Sequence, residues 1–329
     1  MILVLVETDA QGVMETSSET LTFARDMAGR SGGGPVHAVL VGDLSPDLQD
    51  VVPQQLGSQG VRVLHHARHE RLPSYAAAAW AAAVVAAATQ IEAGVVMAAG
   101  TPRGSEILAH VAARLDVMMA ANVVAADASD PLVVSRQVMG GAVLEEMRLD
   151  TRPAVLTVAG HATVPQPSDQ PTQPTVQEFE PPLADADLVA RVVRAETSEV
   201  DDTAALTGAR VVVGGGRGVG SAEGFGELLE LADLLGGTLG VSRVVTSLGW
   251  RPHHEQVGQT GSRIAPDVYI ACGISGAIQH WAGCQSAKTI VAINTDPDAP
   301  MVTKAHYAVI GDMHEIVPAI NEELHRRLA

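Results

Sequence analysis

Short runs of apolar, mostly β-branched residues recur along this chain with helix-length segments between them. In the first half the runs are Ile2–Val6, Val36–Val41, Val61–Leu64, Gly94–Ala98 and Asn122–Ala126. The intervening segments predict helices at Thr16–Arg30, Ser74–Ala93 and Arg103–Leu115. A strand apolar at every position is buried on both faces, and a helix between two such strands returns the chain for parallel pairing by a right-handed crossover. The pattern predicts an α/β fold, and 329 residues suit two domains. Three later runs, Leu132–Val138, Ala142–Met147 and Ala154–Ala159, lie closer together and read as an antiparallel or mixed appendix. His161–Pro182 holds Pro165, Pro167, Pro171, Pro174, Pro181 and Pro182 among Gln, Thr and Ser, which reads as a surface excursion without core. Val189–Ala195 is expected to return as one more strand. The domain boundary is placed near Leu206, dividing the chain into 1–205 and 206–329.

The second half predicts a doubly wound parallel sheet of five strands: Arg210–Val213, Thr238–Val241, Val268–Ala271, Thr289–Ile293 and Tyr307–Ile310. Helices are expected at Ala222–Leu235, Ile278–Ala282 and Glu315–Leu328. Open parallel sheets bind ligands beyond the carboxyl ends of their strands. Those ends supply Arg217, Ser242, Arg243, Ser275, Asn294 and Asp312, with glycines opening three of the five turns. Any sheet needs turn residues there. Polar residues at five consecutive strand ends, two of them with arginine, favour an anionic ligand such as a nucleotide.

Composition removes other classes. With 21 basic against 38 acidic residues, the formal charge of −17 repels a phosphate polymer, so no nucleic acid partner is expected. Aromatics at 3% leave little for stacking bases. Mean hydropathy is +0.17, yet the longest apolar run, Tyr75–Ala88, is 14 residues of mainly alanine, too short for membrane insertion. Cys272 and Cys284 are the only cysteines, which fits a reducing, cytoplasmic setting and gives no cysteine metal site. Met1–Glu7 lacks a basic leader region and meets Asp9 at once, so it reads as a strand. His65, His66 and His69, like His253 and His254, lack acidic or cysteine companions at ligand spacing and are expected on the surface.

The turn Gly214–Ser221 invites a dinucleotide fingerprint and fails it. Gly216 and Gly218 set the frame, but Ser221 stands in place of the third glycine. Ser242-Arg243, not an acid, closes the second strand. A phosphate-loop motif is absent too, and the chain has only two lysines, Lys288 and Lys304. An NAD dehydrogenase and a phosphate-loop enzyme are both disfavoured.

Tyr269-Ile270-Ala271-Cys272-Gly273-Ile274-Ser275-Gly276-Ala277-Ile278-Gln279-His280, followed by Gly283 and by Ile290–Asn294, closely resembles the α subunit of electron-transfer flavoproteins. Gly216-Arg217-Gly218, Ser242-Arg243, Gln256–Gly261, Asp296-Pro297, Ala299-Pro300 and Gly311-Asp312 match the same family. The first half is similar more loosely, through Ile2–Glu7, Gly140-Gly141-Ala142 and Arg152-Pro153. The resemblance implies FAD in the second domain and an electron-transfer flavoprotein β subunit as partner in a heterodimer. It implies FAD contacts from Arg217, Ser242, Arg243, Val257, Gly258, Gln259, Thr260, Ser275, Gly276 and Ala277. Further contacts would come from Ile278, Gln279, His280, Asn294, Asp312 and Met313. Ser275 and the amides after it precede a helix, whose N-terminus attracts pyrophosphate oxygens.

Redox tuning falls, by the same resemblance, to Arg243 against the flavin ring, Thr260 at N5 and His280 at O2. One-electron reduction puts negative charge near N1 and O2. A unit charge at about 4 Å, with a dielectric near 20, is worth about 4 kcal/mol. For one electron that is on the order of 180 mV before screening. The implied function is electron transfer from flavoprotein dehydrogenases, such as the acyl-CoA type of fatty acid oxidation, to a quinone oxidoreductase. Two alternatives stand beside it. One is an electron-bifurcating relative drawing on NADH through a second FAD in the β subunit. The other is a nucleotide-binding structural subunit without redox activity. The chain departs from the family at Ser262 in place of lysine and at Thr246-Ser247 in place of an acid. His306, Met313 and Val268 also differ, which suggests a divergent paralogue serving one dehydrogenase system.

Overall fold

Hydrophobic alternation with both parities buried produces two sheets, each covered on both faces, in a computed structural model. It describes residues 1–30, 32, 34–127, 130–141, 143–194 and 203–328. The chain divides into two compact units, Met1–Val138 with Ala142–Ala195 and Met139–Gly141 with Glu196–Ala329.

In the first unit nine strands form one mixed sheet, in the order Thr175–Phe179, Val63–Ala67, Val36–Val41, Ile2–Leu5, Val95–Ala99, Ala154–Val158, Met119–Asp127, Leu132–Val138, Val143–Leu149. Only the last two pairings are antiparallel. Ile2 and Val4 pack with Leu21, Phe23, Val52 and Leu56 on one face, while Leu3 and Leu5 pack with Val84, Ile107 and Leu108 on the other. The sheet-covering helices are Glu15–Arg30 and Val51–Ser58 on the first face, Ala77–Gln90 and Pro102–Leu115 on the second. The alanine-rich run is therefore a sheet-packing helix. Small side chains let its backbone approach the strands closely.

Several sequence expectations are corrected here. Ala154–Val158 is not part of an appendix; it pairs in parallel between Val95–Ala99 and Met119–Asp127 near the middle of the sheet. The proline-rich excursion contains the edge strand Thr175–Phe179, parallel to Val63–Ala67. That strand is mostly exposed, so backbone pairing rather than core burial holds it. It turns Val63–Ala67 into an interior strand, which buries His65 and His66 to 2% and 6% exposure instead of leaving them on the surface. His65 stacks on His37 with ring centroids 5.2 Å apart. No strand forms at residues 189–194: Val189 and Val193 are exposed, and residue 195 lies outside the described residues. The helix expected at Ala222–Leu235 is a short 3₁₀ turn, Glu223–Phe225, followed by the helix Gly226–Leu234.

In the second unit all five strands are parallel, in the order Thr238–Val241, Val211–Gly215, Val268–Cys272, Thr289–Asn294, Tyr307–Ile310. Numbered along the chain this is 2-1-3-4-5, a doubly wound order. Val213, Cys272 and Ile293 pack with Leu228, Leu231 and Val317 of the helices Gly226–Leu234 and Met313–Leu328. Val212, Ala271 and Ala292 face the opposite way, toward Cys284 and Met301 of Ile278–Cys284 and Pro300–Lys304. The winding direction reverses between Val211–Gly215 and Val268–Cys272, which opens a crevice at their carboxyl ends. Among the described residues no helix is long and apolar enough to cross a membrane.

Candidate functional site

At that reversal two glycine turns meet backbone to backbone. A Cβ on Gly216 would stand 2.2 Å from the Gly273 carbonyl oxygen, and one on Gly218 would stand 2.7 Å from Gly273 Cα. Gly273 itself has φ +63°, a left-handed conformation that glycine adopts without strain. The side chains missing from these turns leave a cavity of about 490 Å³. Its wall comes from four strand ends: Arg217 and Gly218, residues 242–244, residues 273–277, and Asn294 with Asp296. Residues 256–260 with Gln279 and His280 complete it.

The segment carrying residues 256–260 is held by the short helix Ile278–Cys284. The Gln259 amide donates to the Gln279 carbonyl at 2.7 Å, and the Ile264 amide donates to the Gly283 carbonyl at 2.8 Å. A Cβ on Gly283 would stand 2.3 Å from the Gly258 nitrogen, so a glycine is required where loop and helix touch. Asn294 braces the third turn, donating from Nδ2 to the Ile274 carbonyl at 3.0 Å and accepting from the Asp296 amide at 3.1 Å. Gln256, only 2% exposed, joins two hydroxyls. It accepts from Thr246 at 2.6 Å and donates to Thr260 Oγ1 at 3.0 Å, which leaves the Thr260 proton to serve another acceptor.

Among the described residues, two buried polar atoms of the wall have no partner in full hydrogen-bond geometry, Ser242 Oγ and His280 Nδ1. An orphaned buried donor costs about 1–3 kcal/mol, and a ligand that supplies the missing partner explains its retention. Burial also pushes the His280 imidazole down to about 4, opposed by a loose hydrogen-bonding contact with the Val257 backbone, so the ring is neutral at physiological pH. Arg217 and Arg243 are exposed at the cavity, and neither pairs with a carboxylate among the described residues. Cys272 and Cys284 are buried, and burial pushes both thiols up to about 12, which makes them poor nucleophiles.

Thus the cavity gathers Arg217, Ser242, Arg243, residues 257–260, residues 275–277, Gln279, His280 and Asn294 from the sequence expectation. Ile278, Asp312 and Met313 stand outside its wall. Ile278 is exposed at the start of its helix. Asp312 accepts from the His314 amide at the opening of Met313–Leu328. Met313 is buried among Val213, Cys272 and Val317. Conversely, Gly218, Val244, Gln256, Gly273, Ile274, Asp296 and Ala299 line the cavity without being expected contacts. All of these except Val244 lie inside the motifs that carry the family resemblance.

A switch-point crevice with glycine turns, unpaired guanidiniums and orphaned hydrogen-bonding atoms defines the class: an α/β protein that binds a nucleotide-type cofactor. Comparison with known proteins narrows it. The electron transfer flavoprotein domain matches residues 2–184, and the electron transfer flavoprotein FAD-binding domain matches residues 205–285. The chain is 37% identical over 328 residues to the electron transfer flavoprotein subunit alpha of Mycobacterium tuberculosis, covering 99% of this chain and 98% of that one. The subunit alpha of Thermoanaerobacterium thermosaccharolyticum is 33% identical over 315 residues, covering 95% and 94%. Protein FixB of Clostridium saccharobutylicum is 32% identical over 312 residues, covering 94% and 91%. The chain belongs to the electron-transfer flavoprotein α subunit family, with FAD as its cofactor.

Proposed function

We propose that this chain is the α subunit of a cytoplasmic heterodimer. The FAD held in its second unit takes electrons from a flavoprotein dehydrogenase and passes them singly to a quinone oxidoreductase. The flavin supplies the redox chemistry when bound. The chain's residues bind and tune it. Arg217, between the glycine turns, and the amides of residues 275–277 suit the pyrophosphate; Ser242 Oγ offers a free hydrogen-bonding group. Thr260, with its proton released by Gln256, and the neutral His280 supply directed donors. Asp312, Met313 and Ile278 would reach the cofactor only beyond the cavity wall.

The observation that carries the reading is Arg243, an exposed cation, unpaired among the described residues, on the wall of a cavity whose buried titratable group, His280, is neutral. A fixed positive charge favours the reduced, more negative cofactor. Arg243→Ala is expected to lower the first one-electron potential. The shift should fall below the roughly 180 mV of a half-buried charge, because this guanidinium is exposed and water screens it. Potentiometric titration of the heterodimer checks this; an unchanged potential with FAD retained removes Arg243 from the tuning. One FAD per heterodimer supports a simple carrier, whereas two support bifurcation.

A further inference from the structure

The core beneath the cavity contains one fully buried polar side chain that no FAD contact explains. Tyr269, on the strand Val268–Cys272, is 0% exposed, and its hydroxyl lies 2.8 Å from His280 Nε2. Room for that hydroxyl is made by Gly214 on the neighbouring strand: a Cβ there would stand 2.3 Å from Tyr269 Oη. The rest of the surroundings is apolar, with Val212, Val257, Ile274, Cys284 and Met301 in the same cluster.

The direction of this hydrogen bond follows from what each partner has left. Burial raises the phenol well above its ordinary range, so it keeps its proton. His280 Nε2 is the only hydrogen-bond partner of that hydroxyl among the described residues. If Nε2 carried a hydrogen and donated it, the phenol proton would be buried without an acceptor, at a cost of about 1–3 kcal/mol. With the phenol donating, its proton is paired, the ring's single proton resides on Nδ1, and the one donor left over belongs to a cavity-lining residue, where a ligand can accept it. Nδ1 belongs to a residue lining the cavity and has no partner in full hydrogen-bond geometry among the described residues, while the Val257 backbone beside the ring favours a proton on it.

We propose that Tyr269 is a positioning residue for the FAD site: its hydroxyl donates to His280 Nε2 and fixes the Nδ1–H tautomer, so that His280 offers a hydrogen-bond donor to the cofactor. This rests on the second unit holding FAD, and it adds a residue that does not itself line the cavity and acts through His280. His280 would then contribute a directed dipole, and Arg243 the charge. Gly214 is the space that lets the arrangement exist.

The test uses the full chain with its β partner, labelled with ¹⁵N in the histidine rings, and long-range proton–nitrogen correlation spectra. His280→Gln identifies the His280 signals by their loss. The expected wild-type result is a protonated, pyrrole-type Nδ1 and an unprotonated Nε2. In Tyr269→Phe that preference should relax toward a mixture of tautomers, with the FAD dissociation constant raised about five-fold, the size of one net hydrogen bond. A protonated Nε2 in the wild type overturns the proposal even if the variant fails to fold. So does an unchanged Nδ1–H tautomer in a folded Tyr269→Phe. A complex with the expected tautomer but no FAD overturns the functional reading and leaves the Tyr269–His280 bond standing.

Discussion

In each sheet there is a point where the winding first reverses beside the opening strand, and the two reversals end differently. Between Ile2–Leu5 and Val95–Ala99 the first unit places interacting side chains of its own at the crevice. Glu7 is 6% exposed and accepts a 2.5 Å hydrogen bond from Thr101. Arg103 lies 4.8 Å from the Tyr75 ring centroid and 5.7 Å from that of Trp80, whose ring packs against Gly42 at the end of Val36–Val41. Between Val211–Gly215 and Val268–Cys272, the second unit has glycines at the corresponding turns and a cavity of about 490 Å³. Winding order alone therefore creates a place where a ligand could sit. Side-chain volume at the strand ends decides whether that place stays open.

The sharpest way to break this contrast is to give the second crevice a side chain. Gly216→Val drives methyl groups into the Gly273 backbone, and neither turn can yield without breaking strand pairing. FAD should be lost, with the second unit destabilised by about 3 kcal/mol. The first unit should unfold as before. Flavin absorbance and denaturant titration measure the two effects.

Acid probes a property the units share. Burial lowers His37 in the first unit and His280 in the second from 6.5 to about 4. A histidine depressed in the folded state takes up its proton more readily when unfolded. Stability is therefore fully present above pH 6.5 and is lost as pH falls through 4. The deeply buried His280 can account for up to about 3 kcal/mol, and the less buried His37 for less because water screens it. His37→Gln should make the first unit less acid-sensitive while the second keeps its slope, as read by denaturant midpoints from pH 7 to 4.

Smaller substitutions sharpen the contrast. Thr101→Val strands the buried Glu7 carboxyl and should cost the first unit about 2 kcal/mol with FAD content unchanged. Ser242→Ala should do the reverse. It removes a hydroxyl without a partner, so the FAD-free protein keeps its stability, while FAD binds about five-fold more weakly. Calorimetry of the FAD-free and FAD-bound heterodimers separates the two outcomes.

The strands of the second unit were readable because each is a short apolar run with a glycine or polar stop. Thr238–Val241 and Tyr307–Ile310 fall at the bounds expected from that rule. Most of the cavity wall was equally readable, since its residues sit at strand ends or in quoted motifs. The edge strand Thr175–Phe179 was hidden because its partner, Val63–Ala67, lies more than a hundred residues earlier and its own side chains stay mostly exposed. Val51–Ser58 was hidden because eight residues with a glycine and a proline carry a weak helical period. Tyr269 looked like one more core residue of an apolar strand. Nothing local revealed that Gly214, on the next strand, clears space for its hydroxyl beneath His280.

By itself the amino-acid order determined the alternation of strand and helix, the glycine turns and the polar residues at strand ends, because these follow from periodicity and backbone freedom over a few residues. Only the tertiary structure decided which crevice stayed open, which histidines were buried, and on which ring nitrogen of His280 the proton rests. Those outcomes depend on volumes and hydrogen-bond partners brought together from distant parts of the chain.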